Sequence, residues 1–343
     1  MKKIFVSVII PVRTATAYLK QTIAHLEKQS LKSFELIVVT DRKERIKKAK
    51  VIASLKPGPA YKRNLGAEKA RGEILAFLDD DSYPSRDWLQ NALRVFEDAE
   101  AAGKEEIVGV CGPCLTPPGD NLYQKASGWV FASWLGSGGA GTYRNKISRR
   151  RMVDDYPSVN LLIKKKVFLE VGGFDVNHWP GEDTKLCFEI TKDRHHKIIY
   201  DPGVLVYHHR RLIMIPHLKQ ISRYALRRGF FAKKFPATSF RFGYWAPTLF
   251  VCFLFLGGIF SWFSAGVRIF YLLGLGIYFF CLILSGTEVF LKERNFFLVF
   301  LVMAAIFLTH LWYGLLFPVG YFQKDLGVVP HQVDRKKGQY LGG

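Results

Sequence analysis

Apolar positions along the chain fall into two regimes. Up to about residue 105, short apolar runs alternate with segments of helical spacing. Val6–Pro11 (VSVIIP), Phe34–Val39 (FELIVV) and Glu73–Leu78 (EILAFL) are runs of strand length, and Val51–Ala53 is a weaker one. Thr16–Gln29 places Leu19, Ile23 and Leu26 on one helical face. Ala60–Ala70, closed by Gly72, and Asp87–Glu100 are also helical. Strands alternating with helices predict an α/β fold, a mostly parallel sheet covered on both faces. Ligands of such sheets bind beyond the carboxyl ends of the strands. Pro11, Asp41 and Asp79-Asp80-Asp81 all fall at such ends.

Beyond residue 105 the pattern loosens. Tyr123–Arg151, rich in Gly, Ser and Arg, reads as a mobile loop expected to order over a bound donor. Val171–Asp175 (VGGFD) and Gly181-Glu182-Asp183 follow, then a helix from Thr184. Lys197–Tyr200 and Val204–Tyr207 have the look of short strands.

The second regime begins near Trp245. Trp245–Phe263, Ile269–Ser285 and Phe296–Phe317 are apolar runs near the length of about 20 residues, with about 17 as the lower limit, that a spanning helix needs. A hairpin of soluble helices is the alternative, although such helices normally keep a polar stripe. His217–Phe235, just before the first run, reads as a basic amphipathic helix lying at the interface. The divisions expected are a catalytic domain over 1–215, an interfacial segment over 216–240, a transmembrane region over 241–322 and a polar tail over 323–343. The apolar stretch after Met1-Lys2-Lys3 is short, ends at Arg13 and lacks a small-residue cleavage site, so a buried first strand explains it better than a signal peptide.

Charge changes the picture through its placement. Lys and Arg number 49 against 29 Asp and Glu, a net charge of +20. The basic runs Lys164–Lys166, Arg210-Arg211, Arg227-Arg228 and Lys233-Lys234 lie toward the apolar half, where they mark a cytoplasmic face and attract anionic headgroups. No nucleic-acid motif accompanies them, which argues against nucleic acid as a partner. Three spans would put Arg335-Lys336-Lys337 outside, against that tendency, unless the third segment bends back near His310 or Pro318. Among five cysteines, Cys111-Gly112-Pro113-Cys114 spells a redox tetrapeptide, but Leu115–Gly119 after it reads as a turn and no second pair exists for zinc. The odd count suggests reduced thiols.

Three features carry chemistry. Carboxylates crowded at Asp79, Asp80 and Asp81 repel unless a cation neutralises them, and a hard divalent ion shared with phosphate oxygens does so. A solvated acidic turn is the alternative. At Gly181-Glu182-Asp183, Asp183 is either a general base for an acceptor hydroxyl or a helix N-cap. In Tyr207-His208-His209-Arg210-Arg211 the imidazoles offer metal ligands and the arginines a diphosphate grip, against a basic membrane-proximal turn.

Together these residues resemble glycosyltransferase family 2, the inverting enzymes of GT-A fold. VSVIIPVRTATAYLKQTI is similar to the family's opening strand and helix. GPAYKRNLGAEKARGEILAFLDDDSYP is similar to its central block with a DxD-type motif, and VGGFD with GEDTKLCFEI to its acceptor block. The resemblance covers about residues 4–235. It implies a GT-A, Rossmann-like catalytic domain followed by an interfacial helix and transmembrane helices. It implies donor contacts at Pro11, Asp41, Arg63, Asp79 and Asp80, and from Arg210 and Arg211. Mn²⁺ or Mg²⁺ would sit at Asp79 and Asp81 with His208 or His209. Asp183 would be the catalytic base, with Glu182 orienting it. Two departures stand out: a single Asp41 followed by Arg42-Lys43, and Val12-Arg13-Thr14 in place of an asparagine after Pro11. Gln220-Ile221-Ser222-Arg223-Tyr224 resembles the QxxRW motif of processive synthases, which assigns Gln220 and Arg223 to the donor and Tyr224, with Trp134, to the acceptor; interfacial anchoring is the alternative. The expected partners are a UDP- or GDP-linked sugar and a lipid-linked or membrane-proximal acceptor. The chain would be integral to the membrane with its catalytic domain cytoplasmic, and homo-oligomer formation stays open. A synthase subunit and a non-catalytic nucleotide-sugar sensor are the competing readings.

Overall fold

A computed structural model describes residues 5–138, 141–178 and 180–324. They divide into two units: residues 5–115 with 146–209, and residues 116–145 with 210–324. The chain therefore passes into the second unit twice.

The first unit is built on eleven short strands: β1 (Val6–Pro11), β2 (Phe34–Thr40), β3 (Lys50–Ala53), β4 (Ile74–Leu78), β5 (Ser82–Pro84), β6 (Ile107–Cys111), β7 (Cys114–Leu115), β8 (Arg151–Val153), β9 (Asn160–Lys164), β10 (Lys197–Tyr200) and β11 (Val206–His208). Eight form one sheet in the order β3-β2-β1-β4-β9-β6-β10-β8, and β5-β11-β7 form a small second sheet. The main sheet is parallel except at β9 and β8. This is the expected α/β arrangement, a mostly parallel sheet with helices. Every residue of β1 and β4 is buried, as strands covered on both faces require.

The helices begin where local chemistry starts them. Thr16 caps Ala17–Glu27, its hydroxyl accepting from the Leu19 N–H at 3.0 Å. Pro59 opens Pro59–Glu68, where a missing N–H costs nothing. A Cβ on Gly66 would lie 2.5 Å from Ile9 Cγ2, so glycine lets that helix sit directly on β1. β5, β6 and β9 escape the sequence pattern. β6 (IVGVC) carries a glycine within five residues, and β9 is an antiparallel insertion followed at once by the short helix Lys165–Glu170. Asn160 at its start is fully buried and laces the sheet junction: Nδ2 donates to the Gly112 and Val204 carbonyls at 2.8 and 2.7 Å, and Oδ1 accepts from Trp88 Nε1 at 2.8 Å. Cys111 ends β6 and Cys114 opens β7, so the tetrapeptide does not start a helix.

The second unit is helical. Phe296–Phe322 packs against Ile215–Lys234, Phe242–Cys252, Ala265–Glu293 and Leu122–Ala132. Glycines permit the close crossings: added Cβ atoms would lie 2.1 Å from Phe317 O at Gly229, 2.0 Å from Leu226 O at Gly320 and 2.3 Å from Pro247 O at Gly314. Phe242–Phe260, Ala265–Glu293 and Phe296–Phe322 are long and apolar enough to cross a membrane. The second span is much longer than the expected Ile269–Ser285, because polar Thr287, Glu288, Lys292 and Glu293 continue its helix. Phe255, Phe260, Phe270 and Ile277 lie exposed along the first two spans. A soluble hairpin would bury them; lipid accepts them. The third helix runs without a break through His310 and Pro318. Arg335-Lys336-Lys337 and the rest of the tail from residue 325 lie outside the described residues, as do Met1-Lys2-Lys3.

The expected loop over Tyr123–Arg151 is largely helical: Leu122–Ala132, Trp134–Ser137 and Thr142–Asn145. Asn121 and Gln124 form a reciprocal capping box that starts the first of these. Its outer face is tied to a span, with Lys125 Nζ 2.8 Å from Glu293 Oε2 and Trp129 Nε1 donating to Glu293 Oε1 at 3.1 Å. Low local apolar periodicity hid these helices, because their partners lie far along the chain.

Candidate active site

The acidic turn Asp79-Asp80-Asp81 links β4 to β5. β5 pairs antiparallel with β11 in a register that sets Ser82 opposite His208, and the His209 N–H donates to the Asp81 carbonyl at 3.0 Å. That register delivers His208 to the turn, with its Nε2 3.2 Å from Asp81 Oδ1. One ligand atom from each of Asp79, Asp81 and His208 lies within 4.8 Å of the other two. Two carboxylates and an imidazole fit a divalent ion of the Mn²⁺ type. His209, also expected as a ligand, turns away: its Nε2 lies 3.0 Å from Gln21 Oε1 and its ring stacks on Tyr18. Successive residues on a strand face opposite sides, which explains why only one of the two reaches the turn.

Arg63 joins the two acidic groups. From the Pro59–Glu68 helix its guanidinium sends NH2 to Asp79 Oδ1 at 2.6 Å and NH1 to Glu182 Oε1 at 2.9 Å. It is buried and bridges the two carboxylates internally. Glu182 is buried as well, and its Oε2 accepts from the Gly181 N–H at 3.0 Å. Burial pushes the Glu182 carboxyl up to about 7; the Asp183 charge adds to this and Arg63 opposes it. Arg63 itself is held above its ordinary range: burial acts against its charge, and Asp79 and Glu182 outweigh it.

Gly181, at φ 118°, occupies the N-cap of Glu182–Phe188, so Asp183 is not the cap. It sits in the first turn, where a negative charge is favoured, and its Oδ1 accepts from the Thr184 N–H at 2.8 Å. Asp183 is more exposed than Glu182. The Thr184 hydroxyl donates to Asp155 Oδ1 at 2.9 Å and anchors this helix start.

At the end of β1 and β2, Pro11 is buried, and Asp41 pairs with Lys62 and, at 3.5 Å, with Arg13. Lys62 is a residue the sequence reading missed. Its signal is the run Lys62-Arg63 on a helix lying over the sheet, where one helix side cannot solvate both.

The remaining candidates belong to the second unit. Arg210 donates from NH2 to Asn145 Oδ1 at 2.7 Å and lies over the Phe131 ring. Gln220 Nε2 donates to the Tyr224 hydroxyl at 2.9 Å, one turn along Ile215–Lys234, and Tyr224 meets Phe131 edge-on. Burial and the neighbouring charge of Arg211 hold Arg223 below the usual arginine range. Trp134 is largely exposed on its short helix.

His217, from the same helix, is buried between Ser127 Oγ, 2.8 Å from Nδ1, and Thr309 Oγ1, 3.0 Å from Nε2. Burial lowers its pKa from 6.5 to about 4. The folded value lies below the unfolded one, so the neutral ring's contribution is complete above pH 6.5 and is lost as pH falls toward 4. About 2 kcal/mol should be missing at pH 5 relative to pH 7.5. Thermal unfolding in detergent at both values should show it, and His217→Gln should flatten the difference. An equal pH effect in wild type and variant would place its origin elsewhere.

Residues 7–104 match the family model "Glycosyl transferase family 2". A glucosyl-dolichyl phosphate glucuronosyltransferase of Haloferax volcanii is 27% identical over 161 residues, 44% of this chain and 47% of the relative. A pre-mycofactocin glycosyltransferase of Mycobacterium tuberculosis is 27% identical over 176 residues, 51% of this chain and 33% of the relative. The chain thus spans less than half the length of both. Among solved structures, a mannosyltransferase of Pyrobaculum calidifontis in complex with GDP-Man and Mn²⁺ aligns at TM-score 0.48 and 16% identity, over 90% of this chain and 86% of that one. Residues 7–104 thus form a domain that matches glycosyltransferase family 2, in a chain whose described residues include three helices long and apolar enough to cross a membrane.

Proposed function

We propose that the protein transfers a sugar from a UDP- or GDP-linked donor to a lipid-linked or membrane-proximal acceptor, with inversion and with the help of a divalent metal. The observation that carries this reading is the gathering of Asp79, Asp81 and His208 at one turn, joined through Arg63 to the Glu182-Asp183 pair. In the reaction the acceptor hydroxyl oxygen attacks the anomeric carbon, the bond from that carbon to the diphosphate oxygen breaks, and the proton passes to Asp183. A single displacement inverts the centre. Asp79, Asp81 and His208 would hold the metal, which supplies charge to stabilise the departing diphosphate. Arg63 keeps Asp79 and Glu182 in place, and Glu182 supports the helix start that presents Asp183.

The acceptor class is supported by the three helices able to cross a membrane and by the dolichyl phosphate in the name of the Haloferax relative. Arg227, Arg228, Lys233 and Lys234 on the helix before the first span support a cytoplasmic catalytic domain.

A panel of nucleotide sugars assayed in membranes with Mn²⁺ or Mg²⁺ tests the reading. One donor should be consumed in a metal-dependent way, and Asp81→Ala should reduce turnover at least about a hundredfold. Turnover that persists in chelator, or in Asp81→Ala, would refute the metal assignment.

A further inference from the structure

One buried cation has no part in the chemistry described so far. Lys62, on the Pro59–Glu68 helix, is 0% exposed. A buried ammonium is tolerated only with partners. Its Nζ donates to the Val12 carbonyl at 2.6 Å and pairs with Asp41 Oδ1. Burial lowers its pKa, and Asp41 opposes that shift.

These partners are the ends of neighbouring strands. Beyond β1, the Val12 N–H donates to the Val39 carbonyl at 2.9 Å, and the Asp41 N–H donates to the Arg13 carbonyl at 3.0 Å. Arg13 Nε approaches Asp41 Oδ2 at 3.5 Å. Lys62 thus ties a helix to the termini of β1 and β2 and holds the Asp41 carboxylate there. Asp41 and Arg13 nevertheless keep partly exposed side chains, at 36% and 29%. A carboxylate has about four lone-pair positions, and two cations leave capacity for a further donor. An ionised acceptor beside a guanidinium donor is the equipment needed to read the edge of a nucleobase.

We propose that Lys62 is a positioning residue that holds the Asp41–Arg13 pair as the reader of the donor's base, so that selectivity among nucleotides depends on it. This rests on the nucleotide-sugar reading above. The side-chain partner of Lys62 is Asp41 rather than Asp79, Asp81 or His208, where the diphosphate would sit, so Lys62 should govern which base is accepted and leave diphosphate affinity within about twofold.

The test is calorimetric binding of UDP, GDP, ADP, CDP and inorganic pyrophosphate, each with Mn²⁺, to the full chain in detergent. Wild type should prefer one nucleotide by about tenfold or more, the scale of one hydrogen bond to a charged group. Lys62→Met should bring the four within about threefold of one another while pyrophosphate stays within about twofold of wild type. Asp41→Asn should lose selectivity similarly, and the double variant should be no less selective than either single, as expected for groups acting as one unit. Selectivity retained in Lys62→Met, equal binding of all four by wild type, or pyrophosphate affinity falling in step with nucleotide affinity would each overturn the inference. Wild type that binds neither nucleotides nor pyrophosphate with Mn²⁺ would instead overturn the functional reading beneath it.

Discussion

Replacing Asp183 with Asn should lower sugar transfer by about 10²–10⁴-fold, the usual cost of losing a general base, and leave Mn²⁺-dependent nucleotide binding intact. The amide is nearly isosteric but cannot take a proton at neutral pH. The helix start should survive, because Gly181 is its cap and Thr184 is anchored to Asp155. The proposed metal group is Asp79, Asp81 and His208, none of which changes. The measurement is transfer in single-turnover mode beside nucleotide binding by calorimetry. Near-normal transfer would move the base elsewhere. Loss of binding as severe as in Asp81→Ala would place Asp183 in the metal site and remove the division between a donor side and an acceptor side.

The largest effect on stability is expected at Arg63. Arg63→Met should cost about 3–5 kcal/mol, the range for breaking a buried pair by removing one partner. The arginine is the cation that both Asp79 and Glu182 touch, and Glu182 already sits in surroundings that disfavour its charge. Arg63→Lys should recover only part of the loss, since one ammonium cannot reproduce a fork that reaches two carboxylates at once. Saturating Mn²⁺ should restore some stability to Arg63→Met by giving Asp79 another cation. Denaturant unfolding in detergent, with and without Mn²⁺, reads all three. A change below about 1 kcal/mol would mean that the carboxylates are compensated in some other way.

The first hundred residues were legible because their strands are continuous apolar runs and their helices carry a clear period. The same rhythm places Pro11, Asp41 and Asp79–Asp81 at strand ends. Helices long enough to span a membrane were equally plain, as length and apolarity decide them locally. What escaped depended on distant pairing. β5 and β11 are three residues each, and only their mutual register brings His208 to Asp81 and turns His209 to Gln21. The bridge that Arg63 makes between Asp79 and Glu182 depends on burial between residues far apart in sequence. Lys62 looks like an ordinary solvated lysine until the helix is laid on the sheet. The helices within Tyr123–Arg151 were missed because Glu293, Ile306 and His310, which complete their surroundings, lie more than a hundred residues downstream.

That last arrangement bears on how the chain is made. Leu122–Ala132 leaves the ribosome roughly 160 residues before Glu293, so at about 5–20 residues per second its partners arrive on the order of ten to thirty seconds later. For that interval Lys125 and Trp129 wait for a carboxylate that only the second spanning helix supplies. The segment is therefore a natural client for holding factors during synthesis. A gene shortened after residue 240 would leave it permanently without those contacts, which makes premature termination and attempts at a soluble fragment failures of the same kind.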